Sequence, residues 1–261
     1  MPDYLIDPNV LDPANASSSI HAVLRRSSAM RETALHNHAH GQLIGPLKGS
    51  IRIETTAGNW VVPAVHAAWV PPHYDHALQS NGPFQGWGVY IPPALCAGLP
   101  PSPQTIVGND VLQAAIARAA SWPAGPQNGP QHRLVQVIID EIAAAQPVAF
   151  NLPAPGDARL RRIARQITID LADNRTMAQW ADWAGIAPRT LSRYFVAETG
   201  FTFKGWRQRA RLLAALEMLS AGQAVTTVAL DLGYENISAF IAAFKKTFGT
   251  TPGRYLDIQG L

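Results

Sequence analysis

Histidine is crowded into one stretch of this 261-residue chain: His36, His38, His40, His73 and His76 are five of its eight histidines and fall within 41 positions. A neutral imidazole is a ligand for Zn, Fe, Ni or Cu. In an extended segment residues two apart point the same way, so His36, His38, His40 and Gln42 are expected to face one interior. The same row also fits a metal-free interior whose imidazoles bond internally or line a small-molecule pocket. Arginine is a second chemistry-bearing type: it can donate two hydrogen bonds to guanine O6 and N7, or contact a phosphate, or remain a solvated charge.

Composition narrows the classes. Hydrophobic residues make up 47% of the chain and charged ones 15%, which is globular and gives no reason to expect disorder. One cysteine, Cys96, excludes an intramolecular disulfide and a cysteine zinc cluster. Residues 1–20 carry Asp3, Asp7 and Asp12 and lack a basic patch followed by an apolar run, so they do not read as a signal peptide. No stretch approaches the ~18 apolar residues of a membrane helix. A cytoplasmic protein with no membrane partner is expected. Net charge is +3, unevenly spread: residues 157–261 hold 14 Lys+Arg against 9 Asp+Glu, and residues 1–156 hold 7 against 9. The base lies in the C-terminal part, which suggests a polyanion partner there.

The elements that would position these groups fall into two domains, 1–150 and 157–261, separated by the Pro- and Gly-containing run 150–157. Over residues 31–91, short apolar or alternating segments at 42–47, 50–54, 60–62, 67–70 and 87–91 are broken by Gly and Pro, the texture of an antiparallel sandwich or barrel. Residues 107–121 and 131–146 read as helices. In the second, Leu134, Ile138 and Ile142, with Val135 and Ile139 alongside, form one apolar stripe, which either covers the strands or serves as a subunit interface.

Everything after residue 157 reads helical and contains a repeat. A helix-turn-helix needs a small residue where its two helices cross and a glycine four positions on, where the turn is left-handed. Ala181 and Gly185 meet this, with Trp180, Ala184, Ile186 and Leu191 facing inward and Pro188 in a first helical turn. Ala229 and Gly233 repeat it 48 residues later, with Val228, Leu232 and Phe240 inside. Phe195 with Gly200 and Phe244 with Gly249 close the two copies alike. Between them residues 202–220 form a candidate helix, capped by Thr202, with Leu212, Leu213, Leu216 and Leu219 on one face and a basic run of Lys204, Arg207, Arg209 and Arg211. About 18 residues span ~27 Å, close to one DNA turn of ~34 Å, so each unit could enter successive major grooves.

Residues 176–256, and in particular AGIAPRTLSRYFVAETG, ARLLAALEML and VALDLGYENISAFIAAFKKTFGTTPGRY, resemble the DNA-binding domain of bacterial AraC/XylS regulators. The resemblance implies that Arg189, Ser192 and Arg193 read bases, that Thr190, Asn236 and Ser238 are further DNA contacts, and that Lys245 and Lys246 bind phosphates. His-x-His-x-x-x-Gln at 36–42, followed by Gly49 and Pro71-x-x-x-x-His76, resembles the two cupin motifs. That similarity implies a barrel with His36, His38, Gln42 and His76 as ligands to a divalent Zn, Ni or Fe. Gln42 stands where cupins usually have Glu, and Val65 and His73 where they usually have Gly. The expected fold is α+β: an N-terminal cupin-like β-barrel with flanking helices, and a C-terminal all-α domain with two helix-turn-helix motifs on a linker helix. The expected function is a transcriptional regulator, not an enzyme, that binds double-stranded DNA, senses a small molecule or metal ion, and dimerises through the helices at 107–146. The alternative is a metal-dependent cupin enzyme carrying a nucleic-acid-binding domain.

Overall fold

A computed structural model describes residues 19–80, 82–123, 125–148 and 150–259, without the side chains of 258 and 259; nearly all of the segment read against a signal peptide lies outside the described residues. The chain divides into two compact units, Met1–Thr55 with Trp60–Asn151, and Thr56–Asn59 with Leu152–Leu261.

The alternating segments form strands β1 (His21–Ser27), β2 (Arg31–His36), β3 (Gly41–Lys48), β4 (Ser50–Thr55), β5 (Gly58–Pro63), β6 (His66–Val70), β7 (His76–Ser80), β8 (Phe84–Ile91) and β9 (Gln104–Val107), with short β10 (Pro147–Val148) and β11 (Asn151–Pro153). They hydrogen-bond as two sheets, in the orders β1-β8-β3-β6-β9-β10 and β11-β5-β4-β7-β2, which are not closed into one barrel. The period-2 alternation of the strands gives the six-stranded sheet two buried faces. Ile44, Val70 and Tyr90 pack with Ile51, Ile53 and Leu78 of the other sheet. Leu43, Trp69, Val89 and Ile91 pack on the opposite side with helices α1 (Asp110–Ala119) and α2 (Gly129–Ala144).

Two expectations need correction here. The helix read from 107 starts three residues later, because Thr105, Ile106 and Val107 pair with β6 as an added strand and the Asn109 side chain then caps α1 by accepting from the Leu112 amide at 2.8 Å. The linker read over 150–157 also contributes β11 before the helices begin. In α2 the apolar stripe is used at home: Val135, Ile138 and Ile142 are buried and Leu134 and Ile139 partly so, all against the core of their own unit.

The second unit is helical: α3 (Ala158–Ile169), α4 (Met177–Trp183), α5 (Pro188–Thr199), α6 (Phe203–Ser220), α7 (Val225–Asp231), α8 (Ile237–Phe248) and α9 (Pro252–Gln259). Pairs α4–α5 and α7–α8 are built alike. Ala181 and Ala229 are fully buried, and Gly185 and Gly233 are left-handed at φ 65° and 72°. In each turn the residue after the glycine donates to the carbonyl five positions back, Ile186 to Ala181 at 2.9 Å and Tyr234 to Ala229 at 3.0 Å, the bond that closes a Schellman end. Helix α6 separates the pairs with 18 residues, capped by Thr202.

Candidate metal centre and nucleic-acid interface

Two strand registers assemble the histidines. His36 lies opposite His76 where β2 pairs with β7, and Gln42 lies opposite Tyr90 where β3 pairs with β8. His36, His38 and His76 bring ring nitrogens within 4.8 Å of one another, with ring centroids 4.4 Å apart for His36 and His76 and 5.1 Å for His38 and His76. The premise of one continuous extended strand fails: β2 ends at His36 and β3 begins at Gly41, so His38 reaches the cluster from the connection between them. Gln42 Oε1 sits 3.3 Å from His38 Nε2 and 3.0 Å from His76 Nε2.

Each imidazole of the cluster has its Nδ1 2.7 Å from a backbone carbonyl: His36 at Ala34, His38 at His40 and His76 at Tyr74. A carbonyl can accept only, so Nδ1 carries the proton and Nε2 is left as a lone pair pointing to the centre. Burial pushes the His38 and His76 imidazoles below their usual range, His76 to about 4, which keeps the rings neutral. Among the described residues, His36 Nε2 is buried without a hydrogen-bond partner. Lone pairs on two Nε2 atoms and on Gln42 Oε1 thus face one another. Such a grouping is relieved by a cation among them, or by an amide turned so that its NH2 donates to both rings.

His40 and His73 lie outside the cluster and support it through the backbone: the His40 carbonyl accepts from His38, and the His73 amide donates to the His38 carbonyl at 2.8 Å. Tyr90, which nothing in the motif spacing singles out, receives the Gln42 Nε2 bond at 3.5 Å. Val65 and His73 have left-handed backbones at φ 64° and 59°, a conformation that favours glycine.

In the second unit, α5 presents Arg189 and Arg193 exposed, with Thr190 and Ser192 half-buried between them. Positions 189, 192 and 193 share one face at i, i+3 and i+4. The Arg193 guanidinium lies 5.1 Å from the Tyr194 ring. On α8, Ser238, Lys245 and Lys246 are exposed. Asn236 is the N-cap, its Oδ1 accepting from the Ala239 amide at 2.8 Å, so its oxygen has a structural role. The basic run on α6 turns largely inward. Arg211 donates to the Leu171 carbonyl at 2.6 Å and, more weakly, to that of Gly233 at 3.5 Å; Arg207 donates to the carbonyls of Arg175 at 2.8 Å and of Asp173; Arg209 is buried. The carbonyls of the 170–175 loop need donors, and Arg207 and Arg211 supply them. Exposed arginines are found instead on α3, at Arg161, Arg162 and Arg165, where the sequence reading placed no contact.

Paired helix-turn-helix units joined by one helix, with cations on the exposed faces, define a DNA-binding regulator. The Helix-turn-helix domain family matches residues 180–258. The HTH-type transcriptional regulator NimR of Escherichia coli K12 is 32% identical over 228 residues, 85% of this chain and 81% of that protein. The uncharacterized HTH-type transcriptional regulator YobQ of Bacillus subtilis is 24% identical, covering 84% of this chain and 87% of its own. The arabinose operon regulatory protein of E. coli is 28% identical over 137 residues, 51% of this chain and 47% of that protein. The chain belongs to the AraC family of helix-turn-helix transcriptional regulators. Among the described residues, no helix is long and apolar enough to cross a membrane.

Proposed function

We propose that this regulator recognises its operator through α5, and more loosely through α8, and that residues 1–150 form a cupin-like sensing domain for the DNA-binding domain at 157–261. The observation that carries the DNA reading is the repeated turn: two left-handed glycines at equivalent positions, each over a fully buried alanine, each followed by a helix with an exposed face. Arg189, Thr190, Ser192 and Arg193 are the base-reading group; Ser238, Lys245 and Lys246, with the amide nitrogen of Asn236, complete the contact on α8. Arg193→Ala separates two roles for arginine. Loss of preference at one base pair marks a bidentate guanine contact, and uniform weakening on all DNA marks a phosphate contact. Binding to DNA upstream of the protein's own gene, measured by gel shift, tests the whole reading.

The sensing reading is carried by three imidazole Nε2 atoms and Gln42 Oε1 grouped at one point, with the His36 nitrogen buried and without a hydrogen-bond partner among the described residues. These donors fit a divalent transition metal such as Zn, Ni or Fe, held by His36, His38, His76 and Gln42. The left-handed Val65 and His73, at positions that cupin motifs fill with glycine, support the same fold reading. A homodimer through 107–146 would use the outer faces of α1 and α2, since the apolar stripe of α2 is occupied within its own unit. Metal analysis of protein purified without chelator tests the ion directly.

A further inference from the structure

The proposed metal centre contains no charged ligand. Three of its donors are imidazoles, which coordinate a metal only in their neutral form, each with Nδ1 directed at a carbonyl, and the fourth is the amide of Gln42. A divalent ion held there would keep both of its positive charges, where His38 is 5% exposed, Gln42 and His76 are 0% exposed and Tyr90 is 1% exposed, and where His36 is half-buried with its Nε2 atom turned inward and buried. The carboxylate that bears on His76 is Asp75, which is exposed and bonded to Asn37 Nδ2 at 2.6 Å, so water screens it. An uncompensated dication in surroundings of low dielectric is strongly disfavoured, and a negative partner in direct contact is the remedy. Four protein donors also leave coordination positions open on a metal that takes five or six.

We infer that a small oxygen-donor anion, of the carboxylate class, completes this centre as a ligand to the metal, and that Gln42 makes the site dependent on it. With glutamate at position 42 the protein would supply one negative charge itself; with glutamine that charge must come from solution. The effector sensed at this cluster is therefore an anion, bound together with the ion. The inference rests on the metal reading of the same four residues.

Cobalt(II) is the probe, because its visible spectrum reports the ligand set. The full chain is loaded with cobalt and titrated with acetate, and separately with its neutral isostere acetamide, at ionic strength held constant with perchlorate. Acetate should change the spectrum saturably and tighten cobalt binding by the same factor by which cobalt tightens acetate binding; acetamide should do neither. Gln42→Glu should hold cobalt more tightly and bind acetate at least about tenfold more weakly, because one unit of charge at the ion is cancelled. The wild-type titration stands without the variant. A cobalt-loaded protein indifferent to acetate, or one that responds equally to acetamide, overturns the inference and leaves the metal reading in place. Failure to bind cobalt at one site per chain overturns both.

Discussion

Substituting alanine for each turn glycine in turn separates backbone strain from crowding. Gly185 and Gly233 occupy equivalent turns with nearly the same left-handed φ, yet their surroundings differ. Among the described residues, a Cβ on Gly185 would meet nothing within 4 Å, whereas a Cβ on Gly233 would lie 2.9 Å from the Ala172 Cα and 3.1 Å from its carbonyl oxygen. Left-handed alanine costs roughly 1–2 kcal/mol, and the loss of unfolded-state freedom offsets about 0.4–1 kcal/mol. Gly185→Ala should therefore destabilise the second unit by about 0.5–1 kcal/mol. Gly233→Ala carries the same strain plus about 1–3 kcal/mol for crowding against backbone that cannot rotate away, a total of about 1.5–4 kcal/mol. Hydrogen exchange of the buried amides of α6, read by mass spectrometry in the full chain, reports opening of this unit alone. The exchange should quicken about twofold to fivefold for Gly185→Ala and about tenfold or more for Gly233→Ala. Equal acceleration in the two variants, or a greater one for Gly185→Ala, would refute the reasoning.

Arg193→Ala is expected to cost ~1–3 kcal/mol on the specific site, measured by fluorescence anisotropy on operator and on unrelated DNA; equal losses on both would remove the base contact. Selection of binding sites from random DNA should return one sharp block under α5 and a degenerate block one helical turn away, because Ile237, Ala239, Ile241 and Ala242 accompany Ser238 on α8 and lack hydrogen-bonding side chains. Guanines specified equally sharply in both blocks would be incompatible with that placement. About one divalent metal per chain is expected in protein purified without chelator, and the His36→Ala/His38→Ala double variant should lose it; elemental analysis that finds the same metal in both would exclude the site. Asp157 caps α3, and its carboxyl is held down to about 2, chiefly by the hydrogen bond from Arg159. Its folded value lies below the unfolded one, so its contribution is complete above about pH 4 and is lost as pH falls toward 2. Asp157→Ala should cost ~1 kcal/mol at neutral pH and reduce acid sensitivity in a helix-unfolding titration; an unchanged acid limb would count against the cap.

The helix-turn-helix pairs were legible from local rules. A small residue, a glycine four positions on and a cap residue each act within one or two turns of chain, so Ala181, Gly185, Ala229, Gly233 and Thr202 announce their conformations wherever the rest of the chain goes. The inward positions Trp180, Leu191, Val228 and Phe240 follow from helical period alone. The histidine row announced a ligand chemistry by residue type, and similarity to known motifs chose His36, His38, Gln42 and His76 from it. Their convergence, however, depends on contacts that no spacing encodes. His76 meets His36 through the register of β2 on β7, 40 residues apart, and His38 enters from a connection that the strand premise did not contain. Tyr90 opposite Gln42 is likewise a consequence of pairing between distant strands. The fate of the arginines was tertiary as well: Arg161 and Arg211 are the same residue type on helices, yet Arg211 is drawn to carbonyls left open by the 170–175 loop while Arg161 faces solvent. Local backbone preference is written residue by residue, whereas register and the pairing of polar groups are settled only when distant segments meet.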